Sequence, residues 1–296
     1  AGSERGSPPH PPAPPTSVPR CQVVHPLPAV APFRRFVVVR VAASHARLSF
    51  MSPAHARTGL SLAIVCPMAN EADNAIEFVR AVLDRCGGFR ETTMLVVLDR
   101  VSTDNTRMLL AELSRDTPEL EVIWAPENRG VADAYLRGHH EALARGADWI
   151  LEIDAGFSHQ PSDIPFLLAK MDEGYDCVFG SRFLPGGNLT DSSLTHYLVS
   201  YGGTILTNRL LGTKLRDMTS GFQLFNSGSL EMILRRGIHA RGPFFQTEMK
   251  TYSRHLHVAE VPIQYSSASH HVGRRAIGDA LCNLSRLFGL RLLGRV

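Results

Sequence analysis

With 296 residues, 44% of them hydrophobic, the chain can bury a substantial core in one large domain or two small ones. The net charge of +3 is uneven, because residues 1–58 carry seven arginines against one glutamate while the rest carries 24 basic against 27 acidic residues. A mildly acidic body argues against a nucleic-acid binder, and five scattered cysteines with no CxxC pair argue against a disulfide framework or a structural zinc site.

Residues 1–58 hold 11 of the 19 prolines, and stretches such as Pro8-Pro9-His10-Pro11-Pro12 predict a disordered extension. Phe36–Val39 after Arg34-Arg35 mimics a secretion signal, but Arg40 ends the apolar run too early. Met51, just before the patterned region, is the expected natural start, with upstream sequence before it. No run of ~18 uncharged apolar residues occurs, so no membrane-spanning helix is expected.

From residue 59 short apolar runs alternate with helical patterns. Strands are predicted at Ser61–Cys66, Thr93–Asp99, Leu120–Ala125, Trp149–Asp154 and Asp176–Gly180, with helices at about 71–86, 104–116, 130–145 and 161–173. This alternation predicts an α/β fold with a mainly parallel sheet and helices on both faces. Ligands bind such sheets at the carboxyl ends of the strands, which directs attention to the residues that follow each run.

The first strand leads into Pro67-Met68-Ala69-Asn70-Glu71. The second ends at Asp99, an acceptor for a base or ribose, and Ser102 or Thr103 then caps the next helix. Gly130 opens a helix whose free N–H groups suit a phosphate, although glycine loops before helices are common. The fourth strand delivers Asp154, either a turn former or a hard oxygen ligand for a divalent ion.

Taken in order, PxxNE, DxxSTDxT, NRGxxxA, EIDAxxSHxP, GSRF and DxTSGFQLF resemble the family-2 glycosyltransferases, in particular the dolichol-phosphate mannose synthases and their polyprenyl-phosphate relatives. The resemblance covers about residues 62–275. It implies a GT-A-like fold and a nucleotide pocket lined by Pro67, Asn70, Glu71 and Asp99. It also implies Mg2+ or Mn2+ at Asp154, the first acid of a DxD motif, and Arg182 facing phosphates. Asp217, Thr219 and Ser220 would wall the acceptor site. Two positions depart from the pattern: the second DxD acid is Gly156, and the usual paired acids are Asp99-Arg100. An acid restored at 156 is therefore expected to tighten metal binding.

Towards the carboxyl end, Gly242–Tyr252 reads as a loop entering a helix, and Val258–Tyr265 as an edge strand because Pro262 interrupts it. The following Arg274-Arg275 pair suits an acceptor phosphate or a solvated turn, and the neighbouring His270-His271 is not read as a metal site. Residues 277–296 form an expected amphipathic helix, the first half packed and the second half, with Arg286, Arg291 and Arg295, on an anionic membrane. The domain division expected is 1–58 as extension, 59–276 as catalytic domain and 277–296 as terminal helix.

The expected activity is inverting transfer of a sugar, mannose from GDP-mannose, to a polyprenyl phosphate at the cytoplasmic membrane face by a peripheral enzyme. Two alternatives stay open: a hydroxyl acceptor with Glu248 as base, and a non-catalytic nucleotide-sugar binder whose metal site has decayed at Gly156.

Overall fold

A computed structural model describes residues 57–190, 194–266 and 274–295. The expected extension and the Met51 start lie outside them, as do His270-His271 and the side chains of Arg274 and Arg275.

The elements run β1 (Ser61–Met68), α1 (Ala75–Asp84), β2 (Glu91–Leu98), α2 (Thr106–Asp116), β3 (Leu120–Trp124), α3 (Val131–Ala144), β4 (Trp149–Glu152), α4 (Ile164–Asp172) and β5 (Cys177–Ser181). They continue with β6 (Asn188–Thr190), α5 (Leu194–Leu211), β7 (Gln223–Asn226), α6 (Ser227–Arg235), α7 (Phe244–Tyr252), β8 (Val258–Pro262), β9 (Gln264–Ser266) and α8 (Arg274–Leu292). The first five strands and four helices are those expected from the pattern. Helices α5 and α6 were not.

Seven strands form one sheet in the order β3-β2-β1-β4-β7-β5-β8. All neighbours are parallel except β7, which runs antiparallel between β4 and β5. Strand β1 is central and buried on both sides. Leu62, Ile64, Cys66 and Met68 face one cluster with Phe78, Val82, Leu110 and Leu167 of α1, α2 and α4. Ala63 and Val65 face a second with Tyr135, Leu230, Met249 and Leu287 of α3, α6, α7 and α8. A strand apolar at every position reads as a continuous run for this reason. Helix α3 lies so close to β1 that a Cβ at Gly138 would stand 2.2 Å from Val65 Cγ1.

Pro67 fits inside this central strand because pairing of β1 with β4 stops at Val65 and Glu152, so the missing N–H falls beyond that ladder. The run expected as one edge strand divides. Strand β8 is the sheet edge, and β9 leaves it to pair with β6 in a separate two-stranded sheet. Proline at the boundary ends one ladder without breaking the other.

Candidate active site

Asp154 stands just past the carboxyl end of β4, its side chain 35% exposed and therefore reachable. Tyr135 of α3 donates its hydroxyl to Asp154 Oδ1 at 2.5 Å. Burial, then the Asp154 charge, pushes the Tyr135 phenol well above its usual range, so it remains a donor. From the other side His159 accepts the Asp154 N–H at Nδ1, at 3.1 Å. The ring is fully buried, stacked on Phe222 at 5.0 Å and tilted against Tyr265 at 5.1 Å. Burial holds its pKa down to about 4 against the opposing pull of Asp154, so the imidazole is neutral and its Nδ1 is open to accept the Asp154 N–H.

The loop after β1 supplies Asn70 and Glu71. Asn70 adopts a left-handed backbone with φ 58°. Its amide donates to the Val101 carbonyl and accepts from the Thr103 and Asp104 N–H groups, binding the β1 and β2 loops together. Asp99 is buried and accepts the Val101 N–H at 2.8 Å. Arg100 is exposed. Gly130 precedes α3 in extended backbone, with the Arg129 N–H donating to Asp133 one turn on.

Gly156 has φ +67°, and a Cβ there would meet the Glu71 carboxylate at 2.7 and 2.9 Å. An acid at 156 would need the flexible tip of Glu71 to move aside and would sit in left-handed backbone. Glu71 and Asp154 both act on the buried Cys66 thiol, which burial first and these two charges next push well up.

The Asp217–Phe222 segment closes the site. A Cβ on Gly221 would lie 3.6 Å from Asp154 Oδ1, so two motifs 67 positions apart in sequence meet here. Asp217 is fully buried and holds Arg182 in a two-pronged ion pair, Nε to Oδ2 at 2.7 Å and Nη2 to Oδ1 at 2.9 Å. Burial raises the Asp217 carboxyl, but Arg182 and then Lys250 overcome it and hold it well below the carboxylate range. Arg182 Nη2 also donates to Thr219 Oγ1, and the Asp217 carboxylate accepts the Thr219 and Ser220 N–H groups. Lys250, wholly buried, donates to the Asp217 and Ser220 carbonyls, and burial lowers its pKa to about 8. Behind Asp154 runs a buried polar chain in which Gln223 donates to Gln246 and Gln246 to Glu152.

Arg182 also borders a cavity of about 490 Å³, whose walls include Phe183, Leu189, Tyr197, Tyr201 and the exposed Arg216. Tyr197 and Tyr201 come from α5, and their rings pack around Phe183 at 5.5 and 5.3 Å. Helix α5 is turned opposite to the usual sense. Ser200, Thr204 and Thr207 are buried, while Tyr197, Leu198, Val199, Tyr201, Ile205 and Leu206 are exposed. The sequence reading missed it because no apolar stripe marks its inner face. Tyr135 was missed too, although its place among Ala132, His139 and Ala142 on the buried side of α3 marks a phenol that needs a partner.

Two expectations from the carboxyl third are corrected. Glu248 does not face this cavity. It is fully buried under α8, accepting the His239 and Ala240 N–H groups and the Arg286 guanidinium, so it is no base for an acceptor hydroxyl. In α8 burial does not divide between the two halves: Ile277 and Leu281 are exposed and Leu284 buried in the first, while Leu287 is buried, Phe288 packs on the core and Leu292 and Leu293 are exposed in the second. Arg286 pairs with Glu248, and Arg291 donates to the Arg209 and Leu210 carbonyls at the end of α5, so two arginines intended for lipid hold helices together.

The mostly parallel sheet is of GT-A type, with a strand-end acid lying beside a second motif, and the chain is a glycosyltransferase. The chain belongs to the family described as glycosyl transferase family 2, whose pattern matches residues 63–234. It is 28% identical over 218 residues to an undecaprenyl-phosphate mannosyltransferase of Micrococcus luteus, covering 72% of this chain and 89% of that one. It is 29% identical over 217 residues to a polyprenol monophosphomannose synthase of Mycolicibacterium smegmatis, covering 72% and 80%. Among solved structures it shares the fold of glucosyl-3-phosphoglycerate synthase from Mycobacterium tuberculosis in complex with Mn2+, UDP and glucosyl-3-phosphoglycerate, with TM-score 0.52, 19% identity, and 82% and 81% of the two chains covered. As a family-2 glycosyltransferase the chain is an enzyme, which removes the non-catalytic alternative.

Proposed function

We propose that the enzyme transfers mannose from a nucleoside diphosphate sugar to a polyprenyl phosphate, with inversion, at the cytoplasmic face of a membrane. The names of the two mannosyltransferase relatives support sugar and acceptor. The observation that carries the acceptor is the union of the Arg182 cavity with the outward apolar face of α5. Tyr197 and Tyr201 belong to both. Cationic groups beside an aromatic wall that continues into exposed apolar surface suit a phosphate on a hydrocarbon chain.

The chemistry asks little of a base. A phosphate monoester is already anionic at neutral pH. One of its oxygens attacks the sugar C1 from the face opposite the diphosphate, the C1–O bond breaks, and the nucleoside diphosphate leaves with that electron pair. The protein's task is positioning and charge neutralisation. Arg182 and Arg216, with the Arg274–Arg275 pair expected from sequence, would meet the acceptor phosphate. Asp217 holds the Arg182 fork at one angle, and Thr219 and Ser220 set that wall. Pro67, Asn70, Glu71, Asp99 and Gly130 lie on the donor side.

Asp154 would hold a divalent cation, Mg2+ or Mn2+, which when bound neutralises the leaving diphosphate. The solved neighbour with Mn2+ and UDP supports this, and so does the exposed carboxylate itself. Among the described residues no group of three or more His, Cys, Asp or Glu forms a complete metal cage. That suits an ion that keeps waters and substrate phosphates as ligands.

Among the described residues no helix is long and apolar enough to cross a membrane, and α5 with the exposed Ile277 and Leu281 of α8 would supply a peripheral contact. The test is transfer of radiolabelled sugar from a panel of nucleotide sugars to a short polyprenyl phosphate and to the matching polyprenol. Label on the phosphate alone is expected. Equal transfer to the free alcohol would overturn the acceptor assignment.

A further inference from the structure

We propose that Tyr135 is a positioning residue for the donor site: its hydroxyl holds the Asp154 carboxylate at the angle in which that acid meets the cation of the leaving diphosphate. The inference rests on the reading of Asp154 as the acid of a nucleoside diphosphate site and adds to it the residue of this chain that aims it.

The argument begins with the approach of α3 to the sheet. Gly138 lets the helix lie against β1, where a Cβ would stand 2.2 Å from Val65 Cγ1. Tyr135 comes three residues earlier and so shares that face of the helix. The neighbouring strand β4 pairs with β1 as far as Val65 and Glu152, and Asp154 follows directly after it. A tyrosine on this face reaches the strand end from within the core, and it is only 1% exposed.

The second observation separates the ring from the hydroxyl. The ring packs on Phe245 of α7 with centroids 5.4 Å apart, and it lies 6.3 Å from the His139 ring. A phenylalanine would make both contacts. The hydroxyl is the added group, and burying one without a partner is unfavourable. Its partner is Asp154 Oδ1, at 2.5 Å, in a short bond assisted by the carboxylate charge.

The third is what this bond leaves free. The Asp154 N–H is held by His159 Nδ1 at 3.1 Å, and Oδ1 by Tyr135. Oδ2 lies 3.6 Å from the same His159 nitrogen, whose lone pair is already taken by the N–H, so the ring donates nothing to it. Bonds at the main chain and at one oxygen fix the side-chain torsions, and the second oxygen stays available. The carboxylate is 35% exposed while the hydroxyl that holds it belongs to a buried residue, so the restraint comes from the core and leaves the open side clear for a ligand. A hydrogen bond of this kind to a ligating carboxylate orients it, and its loss costs about 10–100-fold in metal affinity.

The experiment titrates Mn2+ into the full chain with GDP or UDP present and reads bound Mn2+ by electron paramagnetic resonance, independently of turnover. Tyr135→Phe is expected to weaken Mn2+ binding by about tenfold or more. The Mn2+ concentration for half-maximal transfer should rise by a similar factor while the KM for a short polyprenyl phosphate stays unchanged, a split that general loosening of the fold would not give. Thermal melts establish that the variant is folded. Tyr135→Met, whose flexible side chain fills the same space without a hydroxyl, takes its place if it is not. Equal Mn2+ binding by wild type and folded Tyr135→Phe would overturn the role of Tyr135 and leave the donor reading standing. An acceptor KM that rose as much as Mn2+ binding fell would show support of the whole site and would likewise overturn the positioning role. If wild type bound no Mn2+ with either nucleotide, the metal-assisted donor reading would fall, and this inference with it.

Discussion

Helices α3 and α5 lie in the same chain and obey opposite rules. Helix α3 turns Ala132, Tyr135, His139 and Ala142 inward and packs against the central strands. Helix α5 turns Ser200, Thr204 and Thr207 inward and leaves tyrosines, leucines and an isoleucine outside. Two of the inward polar groups are hydrogen-bonded: Thr207 donates to the Gly203 carbonyl, and Thr204 accepts the Met218 N–H. The α3 side of the sheet is thus built by ordinary burial of apolar surface, and α5 presents apolar surface to its surroundings. Four changes probe that difference, from the largest expected effect to the smallest.

Asp154→Ala removes the partly exposed acid that follows β4. Transfer should fall by about 10²–10³-fold or more, the scale of losing a main electrostatic contact to developing charge. The melting temperature should fall modestly, because the side chain is partly exposed but the buried Tyr135 hydroxyl loses its acceptor. Near-normal turnover of the folded variant would remove Asp154 from the chemistry.

Asp217→Ala removes the buried acid that pairs with Arg182. It leaves Arg182 and Lys250 buried beside an absent counter-charge, and loss of one partner of a buried pair costs about 3–5 kcal/mol. Urea unfolding should record a loss of that order, together with loss of activity. A loss below about 1 kcal/mol would mean that Arg182 finds water or another partner, and the acceptor wall is not held as described.

Acid should weaken the donor side through His159. Its folded pKa of about 4 lies below the ordinary 6.5, so the unfolded chain binds the extra proton between those values. Stability is therefore complete above pH 6.5 and declines as pH falls towards 4. Asp217, held low, adds a loss at still lower pH. In His159→Gln the slope of unfolding free energy with pH between 4 and 6.5 should flatten. An unchanged slope would assign the acid sensitivity elsewhere.

Ile205→Glu tests the outward face alone. Folding stability should change by no more than about 0.5 kcal/mol, as for other surface substitutions. Binding to anionic vesicles should weaken by about tenfold, the scale of removing one aliphatic group from lipid. Leu292→Glu, at the end of α8, serves as comparison and should matter less. If the two behaved alike, or if wild type ignored vesicles, the outward face of α5 would need another explanation.

How much of this was legible beforehand follows the same division. Strands β1 to β5 and helices α1 to α4 stand within a few residues of their predicted positions, because each buries a regular apolar pattern that periodicity reports. Asp154 was found because it follows a strand. Helix α5 was invisible for the opposite reason: its inner face is polar at Ser200, Thr204 and Thr207 and apolar only towards its end at Leu211, so no regular stripe separates inside from outside. Strand β9 was hidden by Pro262, which marks where the chain leaves one sheet for another, an exchange that local propensity does not encode.

Local order in the sequence determined the α/β class, the family and the strand-end acids, since each depends on residues near one another in the chain. Contacts between distant segments belong to the tertiary structure. Only there does the Glu71 carboxylate come to lie beside Gly156, 85 positions away. Only there does Glu248 turn under α8 and Arg182 lock onto Asp217. A side chain's chemistry is written in its type, but its availability depends on which partners the fold brings within hydrogen-bond reach.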